Sequence, residues 1–231
     1  MTAEAGIIFA AGLGTRMGAL TRTRPKALIE VAGRPLIDHA LSLYRGAGVR
    51  RIVVNAHAHA EQLRTWLAEA APEARISYEP RLLETGGGLQ AARPLLGPGP
   101  VLTLNADMVW GGENPIEPLR AAWDPARMDA LLCLVPRAAA LGHTGAGDFH
   151  RAADGRLTRR GADAAADFVY AGAGILGAEA LAGLEGGVYS LNAVWDPILA
   201  AGRMFGIVHR GVWADVGRPE GIALAEKALA R

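Results

Sequence analysis

The 231-residue chain predicts an α/β fold on a mainly parallel sheet, with a smaller mixed C-terminal lobe. Three observations predict it. Short apolar runs alternate with amphipathic stretches of helical length through the first half of the chain. The runs end in glycine or in polar corners, the pattern of strands leaving a buried sheet. Hydrophobic residues make up 51% and charged residues 20%, enough to build a sizeable core and too apolar for a disordered chain.

Gly6–Ala11 (GIIFAA) is the first strand, entering a glycine loop. Pro35–Gly46 puts Leu36, Ile37, Ala40, Leu41 and Tyr44 on one helical face, with proline suited to the first turn and Gly46 or Gly48 to the end. Arg51–Asn55 is a second strand. Glu61–Ala70 aligns Leu63, Trp66, Leu67 and Ala70 as a helical stripe. Ala74–Glu79 is a third strand. Glu84–Gly88 reads as a loop before a helix at Leu89–Ala92. Pro100–Asp107 is a fourth strand and Asp129–Val135 a fifth. The second half is less regular: a hairpin over Asp148–Arg160 turning at Asp154-Gly155, a strand at Phe168–Tyr170 leading to Gly172 and Gly174, a helix over Leu191–Ala201, strands at Phe205–His209 and Gly211–Val216, and a closing helix at Pro219–Ala230. No linker or repeat divides the chain, so one domain is expected, with residues 1–110 and 111–231 as its two parts. In parallel sheets ligands bind beyond the carboxyl ends of the strands, which singles out the loops after Ala11 and Asn55 and the Asn105–Asp107 corner.

Composition narrows the function. Twenty-four basic and 23 acidic residues give a net charge of +1, so neither a nucleic acid nor an anionic membrane is an expected partner. The single cysteine, Cys133, excludes an internal disulfide and a multi-cysteine zinc site; within Ala130–Val135 it reads as a buried strand residue. The sequence MTAEAGIIFAAG lacks the basic region of a secretory signal, and no apolar stretch approaches membrane-spanning length, so a cytoplasmic location is expected. Nothing in the sequence points to an oligomeric state.

Ala10–Met17 (AAGLGTRM) carries the most chemistry. Two glycines after a strand let backbone N–H groups wrap an anion, or serve a simple turn. There is no G-x-x-x-x-G-K-[ST] run, and Met17 stands where a dinucleotide fingerprint needs glycine. Arg16, Arg22, Arg24 and Lys26 follow within a few residues. Cations beside glycine-loop amides suit a triphosphate, although Arg22 and Arg24 also fit a solvated loop. His57 and His59 lack a third metal ligand and read as surface residues or polar contacts.

The stretch Phe9–His39, with A-A-G-x-G-T-R-M, then P-K, then G-x-P-L, resembles the opening of the sugar-1-phosphate nucleotidyltransferases. The resemblance continues through Glu84-Thr85-Gly86-Gly87-Gly88, Asn105-Ala106-Asp107 and Trp213–Gly217, nearly the whole chain. It is similar in length and in its ETGGG run to compact bacterial uridylyltransferases acting on N-acetylmuramate 1-phosphate, with mannose-1-phosphate guanylyltransferases close by. Gly18-Ala19, Ala106 and Arg218 depart from the family pattern, and the sugar-side E-K-P motif of larger relatives is absent. The resemblance implies a Rossmann-like three-layer α/β/α fold. It implies attack of a sugar 1-phosphate on the α-phosphorus of a nucleoside triphosphate, UTP favoured over GTP, with loss of pyrophosphate. The nucleophile is a phosphate oxygen, mostly ionised at neutral pH, so no general base is needed. Positioning and charge neutralisation carry the reaction.

In this reading Asp107 and Asp215 hold Mg²⁺, Arg16 neutralises the departing phosphates, and Lys26 bridges the α-phosphate and the incoming phosphate. Ala11, Gly12, Gly14, Thr15, Asn105 and Glu84, Thr85, Gly86, Gly87 contact the nucleotide, the glycines leaving room for a flat base. Asn55, Asp148, Gly172 and Asn192 are the sugar-side candidates; Asn192 alternatively caps its helix. A catalytically silent nucleotide-sugar-binding relative is the non-enzyme alternative, and the presence of Arg16, Lys26, Asp107 and Asp215 argues against it. A glycosyltransferase is disfavoured because Asp107-Met108-Val109 lacks the second aspartate of a D-x-D motif.

Overall fold

A computed structural model describes residues 3–182 and 186–230. In chain order its elements are β1 (Ala5–Phe9), β2 (Glu30–Val31), β3 (Arg34–Pro35), α1 (Leu36–Gly46), β4 (Arg51–Ala56), α2 (Ala60–Ala70), β5 (Ala74–Tyr78), α3 (Glu84–Leu96), β6 (Val101–Asn105), β7 (Met108–Gly111), α4 (Ile116–Ala122), β8 (Ala130–Pro136), β9 (Phe149–Arg151), β10 (Leu157–Arg159), β11 (Phe168–Leu176), α5 (Leu191–Ala200), β12 (Met204–Val208), β13 (Val212–Asp215) and α6 (Pro219–Leu229). The main sheet runs β12-β8-β11-β6-β1-β4-β5. In this row β11 alone is antiparallel to its neighbours, and the β9–β10 hairpin attaches beside its start. The fold is therefore α/β with a mainly parallel mixed sheet and flanking helices, as the alternation of the sequence predicts.

Adjacent residues on the central strands face opposite layers. Ile8, Val54 and Leu104 pack with Ile37 and Leu41 of α1 and Leu63 of α2. Ile7 and Val53 pack with Leu89 and Leu96 of α3 and Val194 and Ile198 of α5. Burial on both faces is why these strands read as unbroken apolar runs. A third cluster joins Met17, Val31, Leu36, Val109, Val216 and Ala225 beneath the small β7–β13 sheet.

Several departures from the sequence reading fall at the site. The first strand stops at Phe9 rather than Ala11, because the N–H groups of Ala10 and Ala11 leave the ladder for Asn55 Oδ1. The fourth strand stops at Asn105; the chain turns through Ala106-Asp107 and continues as β7 in a different sheet. The expected loop at Glu84–Gly88 is already the first turn of α3. The strand from Phe168 runs on to Leu176, with a register shift between Tyr170 and Gly174. Helix α4 has no counterpart in the sequence reading.

Candidate active site

A cleft of about 390 Å³ opens at the carboxyl edge of β1, β4 and β6. Its lining includes Phe9–Gly12, Lys26, Asn55, Glu84, Thr85 and Asn105–Asp107, so the three corners expected from strand polarity converge there. The glycine turn forms one wall. Nothing stands within 4 Å of where a Cβ on Gly12 would be. Gly14 adopts the left-handed conformation (φ 63°) that glycine favours, and it opens a 3₁₀ segment, Thr15–Thr21, with Met17 buried beneath. The Gly14 carbonyl accepts from Met17 N and Thr21 Oγ1, so the turn is held from within.

Two carboxylates meet opposite this turn. Asp107 sits between β6 and β7, and Asp215 ends β13. Antiparallel pairing of β7 with β13 sets Asp215 across from Met108, and Val216 N donates to Asp107 O, which places two residues 108 positions apart side by side. Lys26 Nζ donates to Asp107 Oδ2 at 2.5 Å, both side chains mostly shielded. Gly217 N donates to Asp215 Oδ1 at 2.6 Å. Arg16 reaches across from the glycine turn: a Cβ on Gly217 would lie 3.1 Å from Arg16 Nη2 and 2.7 Å from Asp215 Oδ1. Burial, and then the charge of Asp107, hold the Asp215 carboxyl above its ordinary range; the Gly217 amide, Lys26 and Arg16 pull it back only in part. Two carboxylates side by side, both hard oxygen donors, could hold a divalent cation. Among the described residues no group of three or more His, Cys, Asp or Glu is arranged to hold a metal ion by itself. A pair of carboxylates that leaves further positions to substrate phosphates and water fits Mg²⁺ better than a closed all-protein cage.

The chain matches the model of the MobA-like NTP transferase domain over residues 6–146. The chain belongs to that family. It is 42% identical to an N-acetylmuramate alpha-1-phosphate uridylyltransferase of Caulobacter vibrioides, covering 97% of this chain and 96% of the relative. It is 35% identical to a protein of the same name from Neisseria meningitidis, covering 91% and 92%. In fold it is similar to the inositol-1-phosphate CTP transferase from T. maritima (TM-score 0.80, 16% identity, 99% and 97% covered). It is similar also to HddC from Yersinia pseudotuberculosis complexed with GMP-PN (TM-score 0.77, 18% identity, 100% and 99% covered). This NTP transferase is thus an enzyme of nucleotidyl transfer. Among the described residues no helix is long and apolar enough to cross a membrane.

In this NTP transferase the opposite wall of the cleft corrects the sequence reading of ETGGG. Gly86 and Gly87 are buried, and both their N–H groups donate to Tyr189 O. A Cβ on Gly86 would fall 2.5 Å from the Tyr189 ring, one on Gly87 2.1 Å from Gly187 O, and one on Gly88 2.5 Å from Glu79 Oε1. The room these glycines leave is filled by protein, not held for a base. Glu84 and Thr85 do line the cleft. Glu84 carries a left-handed backbone (φ 59°), a strained state for a residue with a side chain. Thr85 Oγ1 accepts from Leu191 N.

The sugar-side candidates are not gathered at one place. Asn55 lines the cleft, but Oδ1 accepts from Ala10 N and Ala11 N and Nδ2 donates to Glu79. Gly172 packs against the back of Asn105: a Cβ there would lie 3.0 Å from Asn105 Cβ. Asp148 and Asn192 do not line the cleft; Asp148 Oδ2 accepts from Tyr170 N at the hairpin base. Asn192 Oδ1 accepts from Arg159, and Ser190, not Asn192, caps α5. Arg218 is exposed at the start of α6. Glu79, which the sequence reading places only as the end of a strand, is fully buried at the ligand-binding edge of the sheet; an acidic residue closing that strand is its one sequence signal.

Proposed function

We propose that the enzyme joins the uridylyl group of UTP to N-acetylmuramate 1-phosphate, giving a UDP-sugar and pyrophosphate. The observation that carries this reading is the β7–β13 register that sets Asp215 beside Asp107, facing Lys26 and Arg16. The identity of both substrates is supported by the relative that is 42% identical over nearly the full length.

Residues 1–110 take the triphosphate and residues 111–231 the sugar. The turn from Ala11 to Thr15 receives the phosphates, with Gly12 and Gly14 letting them approach the backbone. Arg16 offsets the charge that grows on pyrophosphate as it leaves, and Lys26 draws the α-phosphate and the incoming phosphate together. Glu84, Thr85 and Asn105 border the nucleoside. Asp107 and Asp215 would hold Mg²⁺, which supplies neutralisation between the two reacting phosphates. The reading includes a cytoplasmic location, the compartment that supplies UTP.

Pyrophosphate release tests it. UTP, CTP, GTP and dTTP are each paired with N-acetylmuramate, N-acetylglucosamine, glucose and mannose 1-phosphates in Mg²⁺. UTP with N-acetylmuramate 1-phosphate should give the highest kcat/KM. A higher value for GTP with mannose 1-phosphate would replace the reading with a guanylyltransferase, and no release from any pair would end it.

A further inference from the structure

A buried network joins the two walls of the cleft. Glu79, directly after β5, is fully buried. Its main chain is tied to β4, with Glu79 N donating to Ala56 O and His57 Nδ1 donating to Glu79 O, each at 2.8 Å. Both side-chain oxygens accept: Oε1 from Asn55 Nδ2 at 2.8 Å, Oε2 from Leu83 N at 2.9 Å. Asn55 passes the constraint on, because Oδ1 accepts from Ala10 N at 2.7 Å and Ala11 N at 3.3 Å. Those donors also fix the amide's orientation; turned over, its NH₂ would face two N–H groups and its oxygen a carboxylate. The missing side chain of Gly88 is part of the network, since a Cβ there would lie 2.7 Å from Asn55 Nδ2.

The network ends on three main-chain amides. Two set the direction in which the chain leaves β1 for Gly12–Arg16. The third belongs to Leu83, immediately before the strained Glu84. A carboxylate with no aqueous contact is costly to keep, and an apolar side chain would fill the same space at less cost. The partners explain its presence: every polar group it meets is an N–H donor, and only a group that accepts on both atoms matches them.

We propose that Glu79 is a positioning residue. Through Asn55 on one side and the Leu83 amide on the other, it holds the glycine turn and the Glu84-Thr85 rim at one separation, so that a triphosphate is gripped at both ends. The proposal rests on the reading of these two walls as the nucleotide site.

Glu79→Gln puts an NH₂ against an N–H donor. Asn55→Asp puts a carboxylate against a carboxylate. The double variant Asn55→Asp/Glu79→Gln restores the match with the same heavy-atom framework and the same charge. Its carboxylate, now on β4, accepts from the turn and from the new side-chain amide after β5. The oxygen of that amide in turn accepts from Leu83 N. Each single variant should lower kcat/KM by about tenfold or more, chiefly through KM for the triphosphate. Each should also speed hydrogen exchange at amides 10, 11 and 83 without substrate present. The double variant should return both readouts to within about threefold of wild type. Single variants that are folded at the assay temperature and keep kcat and triphosphate KM within about twofold would overturn the proposal, because a merely packing role lowers Tm without moving KM. If the single variants do not fold, the double decides: a folded double with near-wild-type KM supports the proposal, and one that stays unfolded or impaired overturns it. A wild-type protein inactive with every triphosphate would sink the underlying reading of the site, and is seen before any variant is made.

Discussion

Two glycine-rich segments flank the cleft, and they are glycine-rich for opposite reasons. Both lie at the same edge of the sheet, the first in the turn between β1 and a 3₁₀ segment, the second inside the start of α3. In residues 12–14 it is Gly12 that faces outward, with nothing within 4 Å of a Cβ there, while Gly14 supplies a left-handed turn (φ 63°) folded against Thr21 and Lys26. At residues 86–88 the glycines face inward, where a side chain on each would collide with Tyr189, Gly187 or Glu79. The first segment leaves backbone open to an anion. The second lets the 187–190 segment and the Glu79–Asn55 network come close enough to brace α3. A glycine cluster at the ligand-binding edge of the sheet therefore marks close approach, while what approaches is decided elsewhere in the chain.

The comparison can be broken or sharpened by substitution. The largest effect is expected on the open side. Asp107→Asn removes the charge that faces Lys26 and should reduce turnover by about a thousandfold or more. Triphosphate affinity, read by calorimetry, should stay within a few-fold. A near-wild-type rate in Mg²⁺ would remove Asp107 from the chemistry.

A matched pair probes the contrast itself. Gly87→Ala drives a methyl group onto a main-chain oxygen 2.1 Å away and should lose about 1–3 kcal/mol of stability in urea unfolding. Gly12→Ala meets no protein atom and should change stability by about 0.5 kcal/mol or less, yet raise KM for the triphosphate. The reverse pattern would erase the distinction between the two segments.

The smallest effect is thermal. Burial and Asp107 raise the Asp215 carboxyl above its ordinary value. Between the ordinary and the raised value the native state holds a proton there that the unfolded chain releases. The associated stability is present below the ordinary aspartate pKa and is lost as pH rises through the raised one. Asp215→Asn should flatten that part of the Tm–pH profile. It should raise Tm at pH 7 by about 1–2 °C, partial exposure screening the rest. It should also abolish any Tm gain from added Mg²⁺. A lower Tm at pH 7 would show that Asp215 is not held against its neighbour's charge.

Much of the fold was legible because local composition forces it. The apolar runs of β1, β4 and β6 admit only a sheet buried on both faces, and the stripes of α1 and α2 admit only helices packed upon it. Strand polarity then named the three corners of the cleft. Hydrogen bonds over long separations were not legible: Asn55 to Ala10 ended β1 two residues early, and Thr85 and Tyr189 drew residues 84–88 into α3. The sugar-side candidates fared differently from one another for the same reason. Nothing local distinguishes an aspartate that ties a hairpin, as Asp148 does, from one that faces a ligand.

By itself, then, the sequence determined the α/β architecture, the open turn at Gly12–Arg16 and the presence of acidic strand ends. Each follows from side chains within a few residues of one another. Only the tertiary structure decided that Asp107 and Asp215 share one place, that Glu79 reaches both walls, and that the glycines of α3 are filled by protein. These depend on β7 leaving one sheet for another and on which main-chain amides remain unpaired, and both are settled when distant segments close over the cleft.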